Sequence, residues 1–267
     1  MMLPEPAAAS PDRPSSTRAR FTLVLVCAVA VLAWLYLVWM DWGMRNMSQA
    51  VDMLLMPSMN AWQLGDLLLV FLMWAVMMAA MMLPSALPAI LLMARIDERI
   101  SARARRDFPL WAFVCGYLLV WLAFSIAATL LQWALLEATL ISPMWASVSP
   151  RLSAAILIGA GLYQFTPVKR ACLSRCRSPL SLLVGLRRDG ATGALRTGAR
   201  HGMDCLGCCL ALMCLLFVTG VMSLIWVAAI AAYALAEKLL PRWWWISRAA
   251  GALLVVWGGL VLATVAS

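Results

Sequence analysis

Three cysteines occupy five consecutive positions of the chain in the spacing C-x-x-C-C, and the only histidine precedes them by one helical turn. On a helix, Cys208 and Cys209 lie three and four residues after Cys205, so the three thiols can share one face. Thiolates are soft ligands that prefer Cu(I) or Zn²⁺ to hard cations. The spacing therefore predicts a metal-binding face. Further candidate ligands on or beside this face are His201, Met203 and Met213.

A second thiol pair precedes this face in the sequence. Cys172 and Cys176 are four residues apart between Pro167 and Pro179, which predicts a short helix with both thiols on one face. The arginines and lysine around them are expected to lower the thiol pKa and favour the metal-ligating thiolate. Because both cysteine groups flank the same basic stretch, we expect them to meet there. The alternative is that these cysteines only pack as small apolar residues.

Methionines form a strip on an apolar run that leads to Pro84. They recur at helical spacing, and thioethers bind Cu(I) well but hard cations poorly. Two interpretations follow: the strip is either an intramembrane path of soft ligands or ordinary packing by a flexible side chain. The candidate ligands of this strip are Met77, Met78, Met81 and Met82.

Composition indicates what must position these residues. Hydrophobic residues make up 64% of the chain, charged residues 12%, and the mean hydropathy is +0.89. A bilayer core is crossed by about 20 apolar residues of helix. We therefore predict an all-α, polytopic transmembrane helix bundle with six to seven membrane-embedded helices. The apolar runs are 21–40, 64–93, 109–136, 152–166, 206–236 and 246–266.

The run 206–236 is too long for one straight span. As a single helix it would measure about 46 Å, well beyond the hydrocarbon thickness of about 30 Å. Gly220 is the natural position for a break, which in lipid requires that the freed backbone groups face protein or a wet cavity. We therefore predict a helix that is broken near Gly220.

Basic residues predict orientation and domain organisation. Lys and Arg concentrate in the N-terminal arm, after the second apolar run and over 167–204, which the positive-inside rule assigns to the cytoplasm. We predict a polar cytoplasmic arm over 1–20 and one membrane domain over 21–267, with a basic cytoplasmic loop at 167–204. Topology and attraction to the lipid bilayer account for the net charge of +9, so no nucleic-acid partner is expected. Glu237 and Lys238 are expected to mark the membrane boundary.

Three motifs together resemble a known family. They are the methionine run from Trp74 to Pro84, the run Y-Q-x-x-P-x-K-x-x-C-L-x-x-C-R-x-P from Tyr163 to Pro179, and the run H-G-x-x-C-x-G-C-C-x-x-L-M from His201 to Met213. They are similar to the bacterial family of predicted metal-binding integral membrane proteins, over roughly residues 60 to 260. The motifs of this chain depart from that family at Leu210 and Ser223, and neither departure removes a candidate ligand.

The resemblance implies a multi-pass protein of the bacterial inner membrane that handles or delivers copper, held as Cu(I). Zinc is the alternative metal, and a copper-accepting protein is the expected partner. Two other classes stay open: a thiol-disulfide electron carrier that uses Cys205 with Cys208, and a metal permease. A purely structural subunit would use the cysteines only for packing. No catalytic residues are predicted, because the sequence contains no catalytic triad, acid-base carboxylate pair or nucleotide-binding motif.

Overall fold

The apolar runs form long helices. The computed structural model describes residues 14–45, 63–104, 109–140, 148–178, 190–220, 223–240 and 244–266, and nearly all of these residues are helical. Most of the predicted N-terminal arm lies outside the described residues. The helices are α1 (Pro14–Arg45), α2 (Leu64–Ala104), α3 (Leu110–Glu137), α4 (Pro150–Tyr163), α5 (Pro167–Arg177), α6 (Gly190–Cys214), α7 (Leu216–Thr219), α8 (Leu224–Leu239) and α9 (Trp244–Ala266).

Five segments are long and apolar enough to cross a membrane, and α4 is a shorter apolar helix. The first and last of the five expose most of their apolar side chains, as lipid-facing helices do. The predicted all-α bundle is confirmed. The five candidate spans are Arg20–Gly43, Leu64–Arg95, Leu110–Glu137, Gly190–Thr219 and Trp245–Val265.

The fifth apolar run, which is too long for one straight span, is divided between separate helices. Helix α7 ends at Thr219, and Gly220 adopts a φ of 86° before α8 begins at Leu224. A positive φ is strained for residues with a Cβ, so glycine suits this position. The predicted break near Gly220 is confirmed.

The segment predicted as a basic loop over 167–204 is largely helical. Helix α5 occupies its first part, and α6 begins at Gly190, well before the predicted start near residue 206. The physical reason is that small residues of α6 are buried against the bundle, whereas Arg196 and Arg200 lie on its exposed side. Hydropathy averages the two sides and therefore does not reveal the amphipathic helix.

Helices α3 and α6 approach to backbone contact. A Cβ atom at Gly198 would lie 1.9 Å from the carbonyl oxygen of Phe113, and one at Gly116 would lie 2.0 Å from that of Leu195. Small residues allow this close packing between membrane helices. Gly202, one turn after Gly198, continues the contact against Tyr117 and Val120. The contact fixes the cysteine segment of α6 beside Tyr117.

Helix α9 is held against α4 by a similar contact. A Cβ atom at Gly161 would lie 2.7 Å from the carbonyl oxygen of Gly251, and one at Gly251 would lie 2.8 Å from the side chain of Gln164. The close approach brings the start of α9 to the junction between α4 and α5. As a result, Ser247 reaches Gln164.

Pro84 lies inside α2 and frees one backbone carbonyl. A proline has no N–H, so the carbonyl four residues earlier, that of Ala80, loses its helical partner. The indole Nε1 of Trp34 in α1 donates to this carbonyl at 2.8 Å. The proline therefore creates the acceptor that fastens α1 to α2.

Trp34→Phe is expected to lower stability by about 1–3 kcal/mol, because the Ala80 carbonyl would then be buried without a donor. The apparent Tm of the purified protein in detergent measures the effect. Trp42→Phe is the matched control, since Trp42 is on the same helix and is 63% exposed. Equal shifts for the two variants would contradict the assigned role of Trp34.

Candidate metal site

The three thiols of α6 lie on one buried face, as their spacing predicts. Cys205, Cys208 and Cys209 are each at most 2% exposed. The thiols of Cys208 and Cys209 donate to the carbonyl oxygen of Cys205 at 3.1 and 2.9 Å. These bonds hold the two side chains against their own helix, within reach of the Cys205 sulfur.

Helix α5 brings a fourth thiol to this face. Pro167 and the N-cap Thr166, whose hydroxyl accepts from the backbone N–H of Lys169 at 3.3 Å, start the helix. Nine residues after Pro167, the thiol of Cys176 lies beside those of Cys205 and Cys208, close enough to interact with both. The resulting group is the thiol cluster, which consists of Cys176, Cys205, Cys208 and Cys209.

Cys172 lies at the edge of the thiol cluster. A Cβ atom at Gly207 would be 2.7 Å from the Cys172 sulfur, so the absence of a side chain at Gly207 makes room for the thiol. The hydroxyl of Tyr163 donates to the Gly207 carbonyl at 2.5 Å, which ties the end of α4 to the same point of α6. The predicted meeting of the two cysteine groups therefore takes place through Gly207 and Cys176.

The expectation that basic neighbours lower the thiol pKa in α5 is wrong. Burial raises the pKa of Cys172, and the carboxylate of Asp204 adds to the rise. Hydrogen bonds to Cys205 and Cys208 raise the pKa of Cys176. The basic side chain of Arg175 is instead largely exposed, 3.7 Å from Asp204. Both α5 thiols are thus protonated at neutral pH, and ligation of a metal would release their protons.

Two further side chains, which the sequence did not single out as ligands, reach the cluster. The Nζ atom of Lys238 donates to the Cys205 sulfur at 3.0 Å and to the Ser85 hydroxyl at 2.7 Å. The Tyr117 hydroxyl lies 3.2 Å from the same sulfur and donates to the Met82 carbonyl at 3.0 Å. Tyr117 could have been found from the sequence, because its hydroxyl lies in the middle of an apolar run and needs a polar partner there.

Glu237 and Lys238, interpreted from the sequence as markers of the membrane boundary, both direct their side chains into the bundle. Adjacent residues of a helix point about 100° apart. Lys238 turns toward the thiol cluster, whereas Glu237 is 2% exposed and accepts from Lys169 Nζ at 2.7 and 2.9 Å. Together they place α8 between two buried polar groups.

The methionine candidates are buried, and Met82 has contacts beside the cluster. The Met82 sulfur is 4.0 Å from Lys238 Nζ and 3.8 Å from the Ser85 hydroxyl. The other candidates belong to the apolar core of the bundle and are Met77, Met78, Met81 and Met213.

His201 and Met203 lie in different surroundings. The His201 ring packs beside Phe113 and Tyr117, with ring centroids 6.0 and 5.8 Å away. Met203 is 59% exposed, because two residues before Cys205 it falls on another side of α6.

Within the described residues, no group of three or more His, Cys, Asp or Glu side chains is already spaced to hold a metal ion. The thiols instead hydrogen-bond to one another and to the carbonyl oxygen of Cys205. Metal binding therefore requires the thiols to leave these partners, turn toward a common point and lose protons.

A bundle of long apolar helices that encloses a cluster of thiols has the donor chemistry of a soft-metal-binding protein. The chain belongs to the PpoB2 family of copper chaperones, whose profile matches residues 71–261. This range includes both cysteine groups, the methionine strip and Lys238. The copper-related part of the sequence interpretation is thereby supported. No curated protein and no solved structure matches the chain.

Proposed function

We propose that this protein is an integral membrane copper chaperone that binds Cu(I) at the thiol cluster and delivers it to an accepting protein. The observation that carries the proposal is the meeting of Cys176 with Cys205 and Cys208 across two helices. A metal held there would be ligated from two different helices, α5 and α6, and would add a cross-link to the packing between them.

Charge favours Cu(I) at this position over Zn²⁺, the second metal considered. Cu(I) bound by two thiolates carries one net negative charge, which the ammonium of Lys238 beside Cys205 offsets. Zn²⁺ with four thiolates would carry two negative charges and leave one without a partner. Because uncompensated charge is costly in a buried site, the single lysine suits the Cu(I) complex.

The proposed location is the bacterial inner membrane. The five apolar spans support insertion, and the basic residues of α5 and early α6 assign that end of the bundle to the cytoplasm under the positive-inside rule. The thiol cluster would then receive or release copper near the cytoplasmic side. The buried methionine strip offers further soft ligands deeper in the bundle.

Burial of the cysteines favours copper handling over thiol-disulfide electron transfer. An electron carrier must present a thiol to the sulfur of a partner protein. Cys205 and Cys208 are 1% and 2% exposed, so a metal ion reaches them more readily than a protein thiol does. We propose binding and transfer of copper, with no catalysed reaction.

Changing Cys205, Cys208 and Cys209 to serine is expected to abolish copper binding. The parent protein, purified in detergent under reducing and oxygen-free conditions, should hold about one copper ion at the thiol cluster. Elemental analysis for copper and zinc measures the content per chain, and circular dichroism checks that both proteins are folded.

The matched control replaces two cysteines outside the cluster, Cys27 and Cys115, which are exposed on apolar helices. This variant should retain the copper of the parent. Copper absent from every form, with a thioredoxin-like protein trapped on Cys205 or Cys208 as a mixed disulfide, would replace the copper proposal by the electron carrier.

A further inference from the structure

A cavity of about 240 Å³ lies where α8 ends, α9 begins and α4 joins α5. The cavity is separate from the thiol cluster, since none of its described lining residues is a cysteine. Its charged and amide lining consists of Gln164, Lys169, Arg170, Arg177, Glu237 and Arg248.

The cavity is electropositive. Four cationic side chains and one carboxylate line it, a formal excess of three positive charges. The carboxylate of Glu237 is already engaged, since both its oxygens accept from Lys169 and Oε1 also accepts from Ser247 at 2.7 Å. The lining therefore favours an anion over a cation.

Among the residues that the structure describes, Gln164 Nε2 and Arg177 Nε are two buried donors of this lining that have no hydrogen-bond partner. Gln164 is 3% exposed, and its Oε1 accepts from Lys169 and Ser247, so its amide N–H₂ is the group left over. Arg177 uses Nη2 for the carbonyl oxygens of Glu237 and Leu240. Buried donors without a partner are unfavourable, so a ligand with acceptor oxygens would be stabilised here.

The position of the cavity indicates the class of anion. It adjoins the first residues of the apolar span that begins at Trp245, at the level where a membrane helix meets lipid headgroups. Arginine and amide donors suit an oxyanion with several acceptor oxygens, and phosphate is the oxyanion that lipid headgroups present at this level. We propose that this cavity binds a phosphate oxyanion, supplied either by the headgroup of an anionic phospholipid or by free inorganic phosphate. The proposal does not depend on copper.

The test is a titration of the full-length protein in neutral detergent, followed by its apparent Tm. One arm adds inorganic phosphate, the second adds short-chain phosphatidylglycerol, and the third adds diacylglycerol, which has no phosphate. A Tm increase with phosphatidylglycerol alone identifies the lipid headgroup as the source. An increase with inorganic phosphate as well identifies the oxyanion itself as sufficient.

Arg170→Gln and Arg248→Gln test the cavity, because both side chains line it and are exposed enough to be replaced without loss of the fold. Each should raise the Kd for the effective ligand about tenfold, as loss of a charged hydrogen bond predicts. Arg175→Gln is the matched control, since it removes the same charge from α5 outside the cavity.

Two results would overturn the proposal. If neither phosphate source shifts the Tm of the parent, the cavity holds only water. If Arg175→Gln weakens binding as much as Arg170→Gln does, the anion responds to the overall surface charge of α5 and not to this cavity.

Discussion

Lys169→Met is expected to destabilise the protein by about 3–5 kcal/mol, because it would leave the carboxylate of Glu237 buried without its cation. Both side chains are 2% exposed, and the ammonium lies 2.7 Å from Oε1 of the carboxylate. Methionine has a similar length and no charge, so the loss comes mainly from the unpaired Glu237. The free energy of unfolding in detergent, from denaturant or thermal titration, measures the effect.

The double variant Lys169→Met with Glu237→Leu is the decisive control. It removes both charges and should recover most of the lost stability, because replacing a buried ion pair by apolar residues is often neutral. Arg170→Gln, which changes the next residue on the exposed side of α5, should cost little. A double variant as unstable as the single one would show that the two charges are not coupled.

The architecture of the bundle was largely predictable because its constraints are local in sequence. Apolar runs must match the thickness of a bilayer, and one run exceeded it. That excess length predicted the break at Gly220. The spacing of residues along a helix predicted that Cys205, Cys208 and Cys209 share a face. In each case, the evidence lay within a few dozen consecutive residues.

The partners across the bundle could not be predicted in the same way. Lys169 and Glu237 are 68 positions apart, and each stands at an end of an apolar run, where charges ordinarily face water. Nothing in their local sequence distinguishes a buried pair from two boundary residues. Only the packing of α8 against α5, and of α9 against α4, encloses them.

The extent of α6 was missed for a related reason. Its first turns contain arginines that lower the mean hydropathy, while Gly198 and Gly202 contribute almost no apolar surface of their own. These glycines stabilise the structure through the contact with α3, because they let the two backbones come together. A sequence average does not detect such a contact, because it depends on the shape of the partner helix.

Helices α5 and α8 each serve both buried polar sites. Helix α5 supplies Lys169 to the ion pair and Cys176 to the thiol cluster, and α8 supplies Glu237 to the first and Lys238 to the second. The ion pair therefore fixes the position from which Cys176 reaches α6. A buried pair of this kind contributes more to the geometry of the site than to net stability.

Cys176→Ser is consequently expected to weaken Cu(I) binding by at least about 100-fold, the upper end of what loss of an outer-shell partner costs a metal site. The change removes the one thiol of the cluster that α5 contributes, so the metal would lose its link between two helices. Competition against a Cu(I) chelator, under reducing and oxygen-free conditions, gives the affinity of parent and variant.

Cys172→Ser is the matched control, because Cys172 lies one turn earlier on the same helix, at the edge of the cluster beside Gly207. It should weaken Cu(I) binding by less than about 10-fold, within the range of outer-shell changes. An equal loss in both variants would place both α5 thiols on the metal, and unchanged affinity in Cys176→Ser would confine copper to α6. The comparison thus distinguishes a site that bridges two helices from a site on one helix.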